Sequence, residues 1–394
     1  MSKAASGSGT IRKKTVVRNG KPYEFWEARV TVGTNPLTGK QQQKSFSGKT
    51  QAEVRQKMTQ ALAEIDNGEY FQPSTLTLAQ WLNQWLEMLE GKVTFNTLKT
   101  YRSRVEQHII PYFGTRIKLA DVTKLQVQRF IDSLSKTLAP KTIRSIHGAL
   151  GKALETAEEM ELIKKNPCSK ISLPRVEHKH VEALTDEQIK QMLKIAEERK
   201  YGHLLKFILL SGLRESEALG LRWDCVNFKD STITIRRQLQ KQGNQHITVE
   251  ATKSHKARTI KLSATAMQIL KDCQLKQIED RANAGEAWEG WTDDVSRKTS
   301  LCFTNENGRY IDHESLYACV KRIARAMDLP NFTVHDLRHA FATLCLQNGD
   351  DLKTVSAALG HSTISVTADI YASVSEQMRT QSADRMEAFI SRVS

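Results

Sequence analysis

The sequence predicts a multidomain α+β chain. A small three-stranded β-sheet plus helix module comes first, then an all-α helical bundle, then a mainly-α domain with a small β-sheet. Three observations predict this. The 394 residues suffice for two or three separate cores. Apolar residues recur with period two before residue 50 and at helical spacing from Leu78 onward. Pro167, Pro174 and the polar stretch Glu177 to His180 then break the helical text ahead of a new helix start.

Residues 1–10 are small and polar (Ser6, Gly7, Ser8, Gly9) and read as a flexible arm. Residues 11–72 form the first module. Asn19-Gly20 marks a tight turn, Trp26, Ala28, Val30 and Val32 alternate, and Asn35 to Gly39 makes a second turn before Lys40 to Ser47. Thr50 with Glu53 is a capping box opening one helix to Asn67. Residues 73–172 read as helical throughout. Leu78, Trp81, Leu82, Trp85, Leu86 and Leu89 form one apolar stripe, and further helices follow near Leu98 to Ile110, Thr123 to Leu134 and Pro140 to Ala157. Residues 173–182 read as a linker, and the pair His178 and His180 within it reads as part of that linker rather than as a metal site. Residues 183–394 form the last domain. Thr185 with Gln188 caps its first helix, and a β-hairpin region, Thr232 to Ile235 with Arg258 to Leu262, spans a turn-rich stretch at Gly243-Asn244.

A net charge of +14 favours a polyanionic partner, because basic side chains on phosphates release condensed counterions. No run approaches 18 apolar residues and the N-terminus lacks an apolar signal core, so a membrane is not expected and the cytoplasm is. The first 70 residues hold twelve Lys/Arg against six Asp/Glu, and Arg12, Lys13 and Lys14 are candidate DNA contacts there. On the helical bundle the candidates are Lys99, Arg102, Lys141 and Arg144, which read either as followers of a phosphate backbone or as a solubilising face. Six widely spaced cysteines read as reduced thiols.

Four segments of the last domain hold polar residues that packing alone does not require. Arg214 follows a Ser211-Gly212 break and has Glu217 one turn on. Lys253 precedes the strand that begins at Arg258, at a turn from which its stem can swing. His335 and Arg338 share one face of a helix start. His361 follows the Gly360 turn, and Tyr371 comes ten residues later. Taken singly, each has an ordinary reading: an intrahelical ion pair for Arg214, a surface lysine for Lys253, a half-buried core ring for Tyr371.

Taken in order over 158 residues, the series Arg, Lys, His-x-x-Arg, Gly-His and Tyr resembles the tyrosine recombinase (phage integrase) family. The overall layout is most similar to integrases of conjugative transposons and phages of Gram-positive bacteria. The resemblance implies the tyrosine recombinase fold, with residues 11–72 as an arm-type DNA-binding domain, 73–172 as the core-binding domain and 183–394 as the catalytic domain. It implies that Tyr371 attacks the scissile phosphate and forms a 3′-phosphotyrosine with a free 5′-hydroxyl. Arg214 and Arg338 would hold the non-bridging oxygens, Lys253 would protonate the leaving oxygen, His335 would assist proton transfer, and His361 would donate to the phosphate. Glu217 would orient Arg214. The charge logic is general: a pentacoordinate phosphorane needs fixed cations, and the planar arginine fork supplies them bidentately. No metal and no cofactor is expected, since no carboxylate cluster accompanies the motifs.

The expected partners are double-stranded DNA attachment sites. The expected working form is a homo-tetramer on two duplexes, with a small excision factor and a host DNA-bending protein admitted as accessories. The C-terminal stripe Met378, Met386, Phe389, Ile390 and Val393 is expected to dock in trans on a neighbouring protomer, with packing in cis as the alternative. Two other functions share these features, a type IB topoisomerase and a catalytically silent DNA-binding regulator. The separate basic N-terminal module argues against the first, and the intact tyrosine and arginines argue against the second.

Overall fold

The computed structural model describes residues 9–18, 21–34, 41–66, 75–176, 184–243, 245–250, 257–360, 363 and 390–392. The chain divides into two compact units, residues 1–177 and 178–394.

In the first unit, β1 (Thr10–Arg18), β2 (Lys21–Thr34) and β3 (Gln41–Gly48) form an antiparallel sheet in that order, with a register shift between Thr31 and Gly33. Helix α1 (Gln51–Asp66) packs on the sheet, and Ala28, Val30, Val54 and Ala61 form the buried seam. The expected cap is present in part. The Thr50 hydroxyl accepts from the Glu53 N–H at 3.2 Å, but the Glu53 carboxylate reaches back to the Lys49 N–H, one residue earlier than a capping box requires.

The helical bundle consists of α2 (Leu78–Met88), α3 (Phe95–Arg104), α4 (Ile110–Phe113), α5 (Lys124–Leu134) and α6 (Pro140–Glu159). The predicted stripe is its core: Leu78, Trp81, Leu82, Trp85 and Leu86 are buried, and the Trp81 indole donates to the Ala153 carbonyl at 2.8 Å. Sequence reading expected one helix across Leu98 to Ile110. Instead Val105–Ile109 is a π-helical turn, just before Pro111, whose ring offers no N–H to continue the helical ladder.

In the second unit, α7 (Asp186–Glu197), capped by Thr185 and Gln188 as expected, precedes α8 (Gly202–Ser211) and the short α9 (Glu215–Leu219). Strands β4 (Val226–Asn227), β5 (Thr232–Ile235), β6 (Arg237–Gln242), β7 (Gln245–Glu250) and β8 (Arg258–Lys261) follow. The predicted pairing of β5 with β8 is present, with β4 on the outer edge of β5. The stretch between them, read as turn-rich, is a further hairpin, β6 with β7. Its text is polar, with Leu239 its one buried apolar residue, so the period-two signal is weak. Helices α10 (Ala264–Ala284), α11 (Asp294–Thr299), α12 (His313–Ala326), α13 (Val334–Gln347) and α14 (Leu352–Leu359) complete the unit. A single core joins α7, α8, α10, α12 and α13 through residues such as Phe207, Leu270, Phe303, Val320 and Leu337. All six cysteines are free thiols, five of them buried. Among the described residues no helix is long and apolar enough to cross a membrane.

Candidate active site

The site begins with the end of α8. Gly212 takes a left-handed conformation (φ 65°), and a Cβ built there would lie 2.4 Å from the Phe341 ring, so both backbone and packing require glycine. The chain then turns into α9 with Arg214 as its N-cap and Glu217 as the third helical residue.

Glu217 is 2% exposed and accepts four hydrogen bonds. Two come from Arg214, the backbone N–H at 3.0 Å and Nη1 at 2.9 Å. The other two come from Arg258 at the start of β8, Nη1 at 2.9 Å and Nη2 at 2.7 Å. Burial alone would raise the Glu217 pKa, but the Arg258 hydrogen bonds and the charges of Arg258 and Arg214 outweigh it and hold the carboxyl at about 2. Glu217 is therefore ionised throughout the neutral range.

Helix α13 supplies the next two residues. Thr333 and Asp336 form a capping box, with the Asp336 carboxylate accepting from the Thr333 N–H at 2.7 Å and hydroxyl at 2.9 Å, which fixes the first turn. Arg338 is 3% exposed and donates through Nη1 to Gly212 O at 2.7 Å and through Nη2 to Leu359 O at 2.6 Å. Burial, then the nearby Arg214 charge, lowers its pKa to about 9, which still leaves it cationic at neutral pH. His335 is exposed, and its ring meets that of His339 edge to face at 4.6 Å. Desolvation, then His339 and Arg338, lowers the His335 pKa below its ordinary value, so the imidazole is neutral and able to accept a proton at pH 7.

The end of α14 ties these parts together. Three successive carbonyls at its C-terminus accept from three arginines: Ala358 O from Arg258 Nε at 3.0 Å, Leu359 O from Arg338 Nη2, and Gly360 O from Arg214 Nη2 at 3.2 Å. A helix C-terminus leaves its last carbonyls without partners and carries the negative end of the dipole, so guanidinium groups satisfy both needs at once. Arg214 nevertheless keeps 38% of its side chain exposed. It lines a concavity of about 270 Å³ together with His335, Arg338, Glu215, Ser216 and His313. The His313 Nδ1 lies 2.9 Å from a Glu215 carboxylate oxygen, and this hydrogen bond raises its pKa.

Of the residues singled out in sequence, the structure thus brings together Arg214, Glu217, His335 and Arg338. Lys253, His361 and Tyr371 lie outside the described residues, as do His178, His180 and the C-terminal stripe from Met378 to Phe389. Arg258, His313 and Glu215 were not singled out. Arg258 contacts Glu217 and Ala358, 41 and 100 residues away along the chain, a separation to which local patterns are blind. A larger cavity of about 570 Å³, lined among others by His203, Cys273, Gln277 and Phe303, includes none of the site residues. One group among the described residues could offer ligands to a metal, His246 with Asp312 and Glu314, but Lys241 Nζ already lies 2.6 Å from Glu314.

Several basic candidates of the first unit have acidic partners close by. Arg12 bonds Glu27 at 2.7 Å, with Lys14 also 3.5 Å from Glu27, and Lys13 meets Glu24 at 2.6 Å, so part of the charge on β1 is balanced on the sheet itself. On the packed pair α3 and α6, Arg102 lies 3.4 Å from Glu90 and Arg144 donates to Pro174 O at 3.0 Å. Lys99 and Lys141 are exposed and have no ion-pair partner among the described residues.

Comparison with known proteins agrees with this geometry. Residues 182–378 match the Phage integrase family, and residues 77–135 match the "Phage integrase, N-terminal SAM-like domain". The chain is 30% identical to a tyrosine recombinase XerC-like protein of Caldanaerobacter subterraneus subsp. tengcongensis, over 95% of this chain and 98% of the relative. It is 19% identical to the ICEBs1 integrase of Bacillus subtilis, over 92% and 96%. Among solved structures, the Tn1549 transposon integrase in complex with a circular intermediate DNA superposes with a TM-score of 0.64 at 20% identity, covering 78% of this chain and all of that one. A lambda integrase tetramer bound to a Holliday junction gives 0.55 at 16% identity, covering 90% and 94%. A carboxylate clasped by two arginines, a buried arginine beside a histidine, and this extent of likeness lead to one conclusion: the chain belongs to the phage integrase family of tyrosine recombinases, enzymes that cut and rejoin DNA strands.

Proposed function

We propose that this chain is a site-specific recombinase that integrates and excises a mobile element, with Tyr371 as the nucleophile. The observation that carries the reading is the pair Arg214 and Arg338, from distant parts of the chain, lining one concavity with His335. Two fixed guanidiniums beside a neutral imidazole suit a phosphodiester whose charge grows in the transition state. In the proposed sequence, Tyr371 Oη attacks phosphorus as its proton passes to His335, and a P–O5′ bond breaks as Lys253 protonates the departing 5′-oxygen. Arg214 and Arg338 hold the non-bridging oxygens, and His361 donates a further hydrogen bond. The phosphodiester energy stays in the phosphotyrosine, so attack by a 5′-hydroxyl of the partner strand reseals the DNA without another energy source.

The remaining assignments follow from the same reading. Residues 11–72 bind arm-type sites through Arg12, Lys13 and Lys14. Residues 73–172 grip the core site through Lys99, Arg102, Lys141 and Arg144. A homo-tetramer on two duplexes works in the cytoplasm at the nucleoid, with the C-terminal segment docked in trans, and an excision factor and a host DNA-bending protein set direction. DNA in the Tn1549 complex and the tetramer on the lambda junction support DNA as substrate and four protomers as the working form.

The test incubates wild type and Tyr371→Phe with nicked duplex carrying the element's attachment site, then resolves products on a denaturing gel. A DNA-linked protein band in wild type alone supports the assignment. An adduct without exchange between two duplexes turns the reading toward a type IB topoisomerase, and no adduct on any cognate site turns it toward a silent DNA-binding regulator.

A further inference from the structure

Arg258 has no place in the chemistry described so far, yet it is among the most constrained polar side chains of the catalytic unit. It starts β8, is 13% exposed, and spends its donors on two separate elements. Nη1 and Nη2 grip both oxygens of Glu217 on α9, and Nε donates to Ala358 O at the end of α14. Its guanidinium also fills the space beside Gly360, where an added Cβ would meet Arg258 Nη1 at 2.9 Å and Cζ at 3.0 Å.

Glu217 has one backbone to hold it and two arginines to serve. Arg214 is 38% exposed, so solvent competes for it, and its direction depends on the fixed position of the Glu217 carboxylate and of Gly360 O. Arg258 contributes to both. It locks the carboxylate in a bidentate fork, the geometry that fixes a plane as well as a distance. It also holds the carbonyl run in which Ala358 and Gly360 lie. Without the fork, the carboxylate keeps only the Arg214 N–H and Nη1 as partners, both on the residue it has to hold, and the Arg214 side chain can shift with it.

We propose that Arg258 is a positioning residue for strand cleavage: through Glu217 and the end of α14 it aims the Arg214 guanidinium at the scissile phosphate, without touching the DNA. The proposal rests on the reading of Arg214 as a phosphate-binding cation. It distinguishes Arg258 from a plain stability element, because an aiming role depends on charge at the phosphate and a stability role does not.

The experiment uses full-length protein and two forms of a nicked attachment-site duplex, one natural and one with a neutral methylphosphonate at the scissile position. Removing the non-bridging charge removes most of what an aimed guanidinium stabilises, so a defect in aiming shrinks on that substrate. Arg258→Lys keeps a cation beside Glu217 and so preserves the fold. Arg258→Met is the harsher variant, and Arg214→Ala sets the scale. We expect Arg258→Lys to bind DNA as wild type does, to lower single-turnover adduct formation on natural DNA about 10- to 100-fold, and to lower it less than about threefold on the methylphosphonate, in parallel with Arg214→Ala. An equal defect on both substrates, or wild-type cleavage by Arg258→Lys and Arg258→Met alike, overturns the proposal while leaving the recombinase reading intact. Failure of wild type to form an adduct on natural DNA overturns that reading and the proposal with it.

Discussion

Replacing Glu217 with glutamine preserves the shape of the side chain and deletes its charge, which isolates the work of the carboxylate. Removing one partner from a buried ion pair costs about 3–5 kcal/mol, because the cations left behind lose their counter-charge in a site with little water. Independently, the Glu217 pKa falls from 4.5 to about 2 on folding, and a gap of about 2.5 pH units at about 1.4 kcal/mol each gives about 3 kcal/mol. The sign follows from the direction. A carboxyl depressed by folding contributes its full stability above 4.5 and loses it as pH falls through about 2. At pH 3.5 the unfolded chain already holds most of the proton while the folded chain does not, so the difference between wild type and Glu217→Gln narrows from about 3 to about 2 kcal/mol. The assay is hydrogen exchange of α8 and α13 amides in increasing urea at both pH values, which reports the second unit by itself. A difference below about 1 kcal/mol at pH 7, or one that widens in acid, would refute the account of Glu217 as a carboxylate held by two arginines.

Three further outcomes follow from the same geometry. Arg338→Lys should lower single-turnover cleavage about 10²- to 10³-fold, since a single ammonium cannot reach Gly212 O, Leu359 O and a phosphate together, while gel-shift affinity for the site stays near wild type. Gly212→Ala should lower the stability of the second unit by about 1–3 kcal/mol, read by thermal unfolding, because its Cβ meets the Phe341 ring at 2.4 Å and its φ of 65° is unfavourable for alanine. Lys99→Ala and Lys141→Ala should each reduce the slope of log affinity against log salt by about 1 if they sit on phosphates, and an unchanged slope would assign them to solubility.

What was legible in the sequence was local. Thr185 with Gln188 and Pro140 announced their helices because capping uses residues within one turn, and the stripe from Leu78 to Leu86 announced a core because helical periodicity is a property of one segment. The pair His335 and Arg338 was legible for the same reason, three residues apart at a helix start. The π-turn at Val105–Ile109 was not, since no residue type marks the place where a helix takes in one extra residue. In the β6–β7 hairpin, β6 hid behind glutamines and lysine that carry little strand signal, and the strand-favouring Ile247, Thr248 and Val249 of β7 make too short a run to stand out. Arg258 hid most completely. Its role exists only in the distances to Glu217 and Ala358, and no pattern near residue 258 distinguishes it from any basic residue that begins a strand.

The end of α14 explains why these cations can stand so close to one another. Arg214, Arg258 and Arg338 repel, and a site that gathered them on side-chain carboxylates alone would cancel the charge that a phosphate needs. Here one carboxylate, Glu217, serves two of the three, and the rest of the compensation comes from backbone carbonyls at Gly212, Ala358, Leu359 and Gly360, which are partial charges fixed by the fold. Partial charges orient a guanidinium without neutralising it. The cluster therefore stays net positive, held in place before DNA arrives, so its reorganisation cost falls on folding rather than on the cleavage step. The glycines at 212 and 360, both left-handed, are the positions that let two helix ends turn their carbonyls toward the arginines, which connects the apolar Leu-Leu-Ser-Gly and Ala-Leu-Gly stretches of the sequence directly to phosphate chemistry.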